Sequence, residues 1–219
     1  VPPSSDPMPE VRDRLADVRR SWEERLGHVS FELPVEAARI ASTIKSTLGY
    51  ILVNRDGPRL QPGPRNYARS WIRDGALTSE ALLEMGFTSE PRRFVEWFAP
   101  YQQPDGKVPC CVDRRGPDPV AENDSNGEFV FAIAEIYRYT RDIGFLSEMW
   151  PRVVRAVEYI DFLRRQRTTD AFRAPDKQAL FGLLPASISH EGYASRPVHS
   201  YWDDFFALRA LKDAATLAV

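Results

Sequence analysis

The sequence predicts an all-α fold assembled from αα-hairpins, and two observations support this prediction. Apolar residues recur at steps of three and four along most of the 219 residues, which is the spacing of one face of an α-helix. The predicted helices are separated alternately by short and long connections, which is typical of helices that pair as antiparallel hairpins. We predict about three hairpins and few β-strands.

The first two helices are each predicted from one apolar stripe. The stripe of the first helix consists of Val11, Leu15, Val18, Trp22 and Leu26. The stripe of the second consists of Ala37, Ala41, Ile44, Leu48 and Ile51, and a turn sequence at 54–57 ends it. We interpret the first helix as a connector packed on the outside. The predicted domains are therefore an N-terminal segment with this connector, residues 1–33, and an incomplete helical domain, residues 34–219.

Capping residues and helix breakers delimit the next two helices. The third helix is predicted over about 75–84 because Gly86 is a suitable C-cap, and the fourth begins near Ser89 and Pro91. The segment 102–122 is rich in Pro, Gly and Asp and has no periodicity. We therefore predict a long loop there, a kind of segment that is often functional.

A capping box predicts the start of the fifth helix. In Ser125-Asn-Gly-Glu128 the serine would accept from a backbone N–H while the glutamate reaches back, so the helix should begin at about Asn126. Further helices are predicted over about 145–166 and from near Asp203 to the last residue. The loop between them, 168–200, contains His190 and Glu191, which we interpret as structural.

Composition and charge exclude several classes of protein. The net charge of −2 favours neither a nucleic acid nor an anionic membrane as a partner, and no apolar run approaches the roughly 20 residues that span a bilayer. Cys110 and Cys111 are neighbours, which excludes a disulfide scaffold. The three histidines lack the spacing of metal ligands, so we expect no metal and no other cofactor. The N-terminus has neither an initiator Met nor the apolar core of a signal peptide, and we interpret it as a cut edge. The sequence leaves the compartment open.

Three short segments place carboxylates where helices are predicted to begin. They are Arg69-Ser-Trp-Ile-Arg-Asp74, Glu122-Asn-Asp-Ser-Asn126 and Tyr201-Trp-Asp-Asp-Phe205. In a closed ring of hairpins these helices would form the inner wall and run the same way. Their starts would then gather at one end and form a cup. The candidate substrate-binding residues of this cup are Trp71, Arg73, Asp74, Asp124, Asn126, Tyr201 and Trp202.

These residue types suit a neutral carbohydrate. Arginine and aspartate give strong, directional hydrogen bonds to hydroxyl groups, and tryptophan and tyrosine offer flat apolar faces to a pyranose ring. Glycoside cleavage needs one carboxylic acid to protonate the leaving oxygen and a second carboxylate as base or nucleophile. Asp203 and Asp204 are the candidate catalytic residues, because adjacent carboxylates beside apolar side chains disfavour double ionisation and one of them can keep its proton. The second carboxylate is not identifiable in the sequence.

The three segments, in their order and spacing, resemble the glucoamylase-type glycosidases of the six-hairpin, (α/α)6-barrel superfamily. In that family a Trp-Thr-Arg-Asp segment holds the sugar at the reacting subsite, and a Trp-Glu-Glu segment followed by Phe-Phe carries the general acid. The matching residues here are Trp71-Ile-Arg-Asp74 and Trp202-Asp-Asp-Phe-Phe206, with two aspartates in place of two glutamates. The resemblance implies inversion at an α-glucosidic bond, Asp203 as the acid, and a remainder of the parent chain that completes the barrel.

Other functions stay open at this point. The chain could be a non-catalytic carbohydrate-binding helical domain, or a terpene-cyclase-like toroid in which Asp203 and Asp204 begin a diphosphate motif. The fifth position of that motif is Ala207, which cannot hold magnesium. The linkage and length of the substrate, and the choice between water and phosphate as acceptor, do not follow from the sequence. Each polar residue also has a simpler interpretation as a helix cap or a first-turn charge.

Overall fold

The computed structural model describes residues 8–188 and 196–219. Of these, 63% lie in helices, which confirms the prediction of an all-α fold. The predicted roles of His190 and Glu191 concern residues outside the described part of the chain. Among the described helices, none combines the length and the apolar character that crossing a membrane requires.

Seven α-helices and three very short strands make up the regular structure of the described residues. The α-helices are α1 (Met8–Leu26), α2 (Ala38–Val53), α3 (Ile72–Glu84), α4 (Ser89–Phe98), α5 (Ser125–Thr140), α6 (Ile143–Arg165) and α7 (Tyr201–Leu217). The strands are β1 (Ser70–Trp71), β2 (Cys111–Asp113) and β3 (Gly116–Pro117). Short 3-10 turns lie at Val35–Ala37, Arg65–Tyr67, Ala99–Tyr101, Asp170–Phe172 and Gln178–Leu180.

The chain divides into two compact units, 1–53 and 54–219. The described part of the first unit contains α1 and α2. No side chain of α1 is buried, and Val11, Leu15 and Val18 of its predicted apolar stripe are exposed. The domain boundary predicted from the sequence, between residues 33 and 34, stays a prediction.

The second unit is built around α5, which lies between α3 and α7. Helix α4 packs on α3 and α5, and α6 packs on α5 and α7, so the helices form two layers. Every residue of α5 from Ser125 to Ile136 is buried, as expected for a helix that is covered on all sides. Gly127 permits the close approach of α7, because a Cβ atom there would lie 2.4 Å from the backbone oxygen of Phe206.

Ion pairs also align α5 with α7 near the far end of α5. Arg209 of α7 donates to Glu135 of α5 at 2.6 Å and to Asp213 of its own helix at 2.8 Å, and Arg138 of α5 donates to both carboxylates. Since the starts of the two helices also meet, as described below, α5 and α7 run in parallel. This arrangement brings the polar groups of both helix starts to one end of the unit.

The segment 102–122 differs from the prediction of an irregular loop, because it contains a β-hairpin. Strand β2 pairs antiparallel with β3 on one side and with β1 on the other. In the pairing of β1 with β2, Trp71 lies opposite Cys111. The N–H of Ile72 donates to the carbonyl of Cys110 at 2.9 Å. Gly116 has a φ of 108°, a left-handed conformation that glycine adopts without a steric penalty. The hairpin therefore anchors the chain directly before Arg73.

Candidate functional site

Arg73, in the first turn of α3, lies at the centre of a carboxylate cluster. Its Nε and Nη2 both donate to Asp124 Oδ2, at 3.0 and 2.6 Å. Nη2 also donates to Glu122 Oε2 at 3.1 Å, and Nε lies 3.5 Å from Glu128 Oε1. All three carboxyl groups are buried, with at most 4% of each residue exposed. A guanidinium group is well suited to this position, because its planar array of donors can serve several carboxylates at once.

Trp202, in the first turn of α7, completes the carboxylate cluster, which we define as Arg73, Glu122, Asp124, Glu128 and Trp202. The indole Nε1 donates to Asp124 Oδ2 at 2.9 Å and to Glu128 Oε1 at 3.2 Å. Its ring contacts that of Phe206, with 5.0 Å between centroids, and the residue remains 42% exposed. The starts of α3, α5 and α7 therefore meet at one place, and an aromatic face beside them is open.

The capping box predicted at the start of α5 is wrong. The N-cap residue is Asp124, no side chain caps this end, and Ser125 lies inside the first turn. The hydroxyl of Ser125 is buried without a hydrogen-bond partner among the described residues. The carboxyl group of Glu128 does not reach back to the backbone, because Trp202 and Arg73 hold it from two other helices. Glu128 thus belongs to the site, a role that the sequence analysis did not assign to it.

Glu122 and Glu128 are the cluster members that were not among the predicted site residues, although Glu122 begins one of the three segments. A signal for Glu128 was present: it lies four residues after Asp124, which places both side chains on one face of the first turn of α5. No comparable periodicity marks Glu122, which precedes the helix. Its carboxylate is brought to Arg73 by the tertiary fold, across 49 positions in the chain.

Asp203 and Asp204 face different surroundings although they are neighbours. Asp203 is only 4% exposed, and Asp203 Oδ2 accepts from the hydroxyl of Ser187 at 2.7 Å. Asp204 is half-buried, and its Oδ1 accepts from the backbone N–H of Leu184 at 2.9 Å. The two carboxyl groups are therefore held by separate partners in the loop before α7.

Burial raises the pKa of Asp203 to about 6. The hydrogen bond from Ser187 lowers it, while the negative charges of Asp124 and Asp204 raise it further and Arg73 opposes them. Such a carboxyl group holds its proton closer to neutrality than an ordinary aspartate does. Asp203 can therefore act as a proton donor at mildly acidic pH.

The remaining predicted residues lie around the cluster but make different contacts. Asn126 is buried, and its Oδ1 accepts from the N–H of Val108 at 2.9 Å, so its side chain anchors the 102–122 segment. Trp71 is half-buried, with the guanidinium group of Arg69 5.2 Å from its ring centroid. Asp74 is half-buried in the first turn of α3, and Tyr201 is exposed and stacks on Phe205. Their roles in substrate binding stay predictions.

A group of potential metal ligands lies on the neighbouring hairpin. Cys110, Cys111 and Asp118 place one ligand atom each within 4.8 Å of one another. Asp118 is already paired with Arg69 at 2.7 Å, and the contact with Cys111 together with burial raises the pKa of the Cys110 thiol. A metal ion at this position would have to compete with Arg69 for Asp118 and release the protons of the thiols.

Comparison with known proteins finds a similarity over part of the chain. The chain is 30% identical over 105 residues to a protein of Methanocaldococcus jannaschii described as an uncharacterized glycosyl hydrolase. The match covers 47% of this chain and 17% of that relative. No protein-family model matches the chain. The similarity therefore points to the broad class of glycosyl hydrolases and to no particular family within it.

Proposed function

We propose that the protein is a glycosidase that cleaves a glucosidic bond of an oligo- or polysaccharide, with Asp203 as the general acid. The observation that carries this proposal is the position of Asp203: a buried carboxyl group with a pKa of about 6, directly after the half-exposed Trp202 at the start of α7. The similarity to a glycosyl hydrolase supports the reaction class. The resemblance to glucoamylase-type enzymes supports the glucosidic bond.

In the proposed reaction Asp203 gives its proton to the glycosidic oxygen as the bond from this oxygen to C1 breaks. A water molecule adds to C1 from the opposite face and loses its proton to a second carboxylate, so the configuration is inverted. A group with a pKa of about 6 is protonated in about one molecule in ten at pH 7, which is enough for general-acid catalysis. This protonated fraction is far larger than that of an unperturbed aspartate at the same pH.

We assign the sugar ring of the reacting subsite to the open side of Trp202. The aromatic face can cover the apolar C–H patch of a pyranose, and the polar groups at the starts of α3 and α7 can bind its hydroxyls. Because Arg73 is held by Asp124 and Glu122, its guanidinium group does not have to be ordered when the sugar binds. A site fixed before binding loses less entropy on complex formation.

We also propose that further helices of a longer chain complete the ring and supply the base. Helices α3, α5 and α7 leave a groove of about 300 Å³ lined by Leu77, Glu80, Phe131, Phe205, Phe206 and Arg209. Phe205 is 65% exposed and Leu208 is 51% exposed on α7. Apolar side chains of this size on consecutive turns are typical of a surface that another element covers.

The test is the substitution Asp203→Asn in the full-length protein, assayed on two substrates. On a glucoside with a poor leaving group, the loss of general-acid assistance should lower kcat by roughly 10² to 10⁴. On an activated aryl glucoside, whose leaving group scarcely needs a proton, the loss should be much smaller.

Asp204→Asn is the matched control, because the neighbouring carboxylate is held by the backbone of Leu184 and not by Ser187. An equal loss on both substrates, or a leaving-group dependence found only in Asp204→Asn, would contradict the assignment of Asp203. A full-length protein that binds sugars without cleaving them would instead identify a carbohydrate-binding domain.

A further inference from the structure

Two buried oxygen atoms in the carboxylate cluster have no hydrogen-bond partner among the described residues. They are Asp124 Oδ1 and Glu128 Oε2. The other oxygen of each group has donors: Asp124 Oδ2 accepts from Arg73 Nε, Arg73 Nη2 and Trp202 Nε1, and Glu128 Oε1 accepts from Trp202 Nε1. A buried carboxylate oxygen without a donor is costly, and native structures rarely tolerate one. Two such atoms in adjacent groups therefore require a common explanation.

The two carboxyl groups lie side by side. Asp124 and Glu128 are four residues apart at the start of α5, and they share two donors. Trp202 Nε1 lies 2.9 Å from one and 3.2 Å from the other, and Arg73 Nε lies 3.0 and 3.5 Å from the same two oxygens. The two carboxyl groups are close enough for a side-chain hydrogen bond between them, so a proton on one group can be shared with the other.

The local charges favour such a proton. Among the described residues, Glu122, Asp124 and Glu128 all pair with the guanidinium group of Arg73, and α7 adds Asp203 and Asp204 nearby. If all were ionised, the negative charges would greatly exceed the positive charge in a buried site. Burial, followed by the charge of Asp124, raises the pKa of Glu128 well above its usual value, and Arg73 only partly offsets this.

We propose that Asp124 and Glu128 hold one proton between them, bound to Glu128 Oε2 and donated to Asp124 Oδ1. Both unpartnered oxygens are then satisfied, and Asp124 keeps the negative charge that binds Arg73. Glu128 is a positioning residue, because its neutral carboxyl group keeps Glu128 Oε1 free to accept from Trp202. The indole is thereby fixed directly before Asp203. The shared proton itself does not depend on the proposed function. Only the role of Glu128 in positioning Trp202 beside a catalytic Asp203 rests on it.

The direct test is infrared spectroscopy of the 219-residue protein at pH 7. The C=O stretch of a protonated carboxyl group should be strong in the wild type, and in Glu128→Gln only the small contribution of Asp203 should remain. Glu80→Gln is the control, since Glu80 on α3 is another glutamate whose pKa is raised by burial. The wild-type band should persist in that variant. If Glu128→Gln leaves the band unchanged, or if the wild type has none, the proposal is overturned.

A second measurement separates the shared proton from a purely structural role. Glutamine reproduces the neutral group, because its amide can donate to Asp124 while its oxygen accepts from Trp202. Glu128→Gln should therefore unfold at the same temperature as the wild type at pH 7, whereas Glu128→Ala should unfold at a clearly lower one. A drop in Glu128→Gln as large as that in Glu128→Ala would mean that Glu128 is ionised. If neither variant folds, carboxyl ¹³C NMR of glutamate-labelled wild type decides: a resonance that stays protonated at pH 7 supports the proposal, and its absence overturns it.

Discussion

Asp203→Asn should stabilise the isolated 219-residue protein at pH 7, although the substituted side chain is buried and hydrogen-bonded to Ser187. In the folded protein the pKa of Asp203 is raised from 3.8 to about 6, mainly by burial. Because the folded state binds this proton more tightly than the unfolded state, the resulting stability is fully present below pH 3.8. It is lost as the pH rises through 6.

The magnitude follows from the size of the shift. A rise from 3.8 to about 6 is about two pKa units, and each unit corresponds to about 1.4 kcal/mol. Wild type should therefore lose up to about 3 kcal/mol relative to the variant between pH 4 and pH 7. Asparagine, like the protonated acid, is neutral and can accept from Ser187, so the two proteins should be equally stable near pH 3.5.

The assay is urea unfolding followed by tryptophan fluorescence at half-unit pH steps. Asp170→Asn is the matched control, because it makes the same exchange at a fully exposed side chain and should leave the free energy of unfolding close to that of wild type. If Asp203→Asn is less stable than wild type at pH 7, or if the two stability profiles run in parallel from pH 3.5 to pH 7, burial does not raise the pKa of Asp203 in the folded protein.

Two further substitutions test the packing that brings the helix starts together. Arg73→Ala leaves buried carboxylates without their cation and should lower the free energy of unfolding by about 3–5 kcal/mol. Arg20→Ala is the control, because both partners of its ion pair are exposed, and it should cost at most about 1 kcal/mol. Equal effects of the two substitutions in urea unfolding would mean that the cluster does not hold α3 to α5. Gly127→Ala places a Cβ atom 2.4 Å from the backbone oxygen of Phe206 and should destabilise the protein by about 1–3 kcal/mol. The control is Gly49→Ala in α2, where the added Cβ atom meets no atom closer than 3.9 Å, and it should be neutral or stabilising by up to about 1 kcal/mol. If Gly127→Ala were also stabilising, α5 and α7 would not be in close contact.

Helix positions could be predicted from the sequence because they depend on local patterns. The helix predicted over 145–166 is observed at Ile143–Arg165, where Asp142 caps its start by accepting from the N–H of Phe145 at 3.0 Å. The 116–117 strand was missed because two residues carry no periodicity. The exposure of Val11 and Leu15 on α1 was also not predictable, since a stripe indicates a helix but not whether another element covers it.

The site was predictable only in part, because its contacts join residues far apart in the chain. The sequence indicated that Arg73, Asp124 and Trp202 lie at helix starts, and the structure brings these three side chains into one hydrogen-bonded group. A local rule misassigned Glu128, because a capping box needs only neighbouring backbone, whereas the observed partners of Glu128 come from α3 and α7. Glu128 therefore makes tertiary contacts with Arg73 and Trp202 in place of the local cap.

Calorimetry with the full-length protein measures whether the helix starts around Trp202 form a site for a neutral sugar. Glucose, maltose and an aza-sugar glycosidase inhibitor should each give a binding heat at millimolar concentration or below, with the inhibitor binding most tightly. Trp202→Ala should weaken binding, because it removes the aromatic face, whereas Trp150→Ala, in α6, should not. If none of the three ligands gives a binding heat, or if an inorganic diphosphate binds tightly instead, the helix starts around Trp202 are not a site for a neutral sugar.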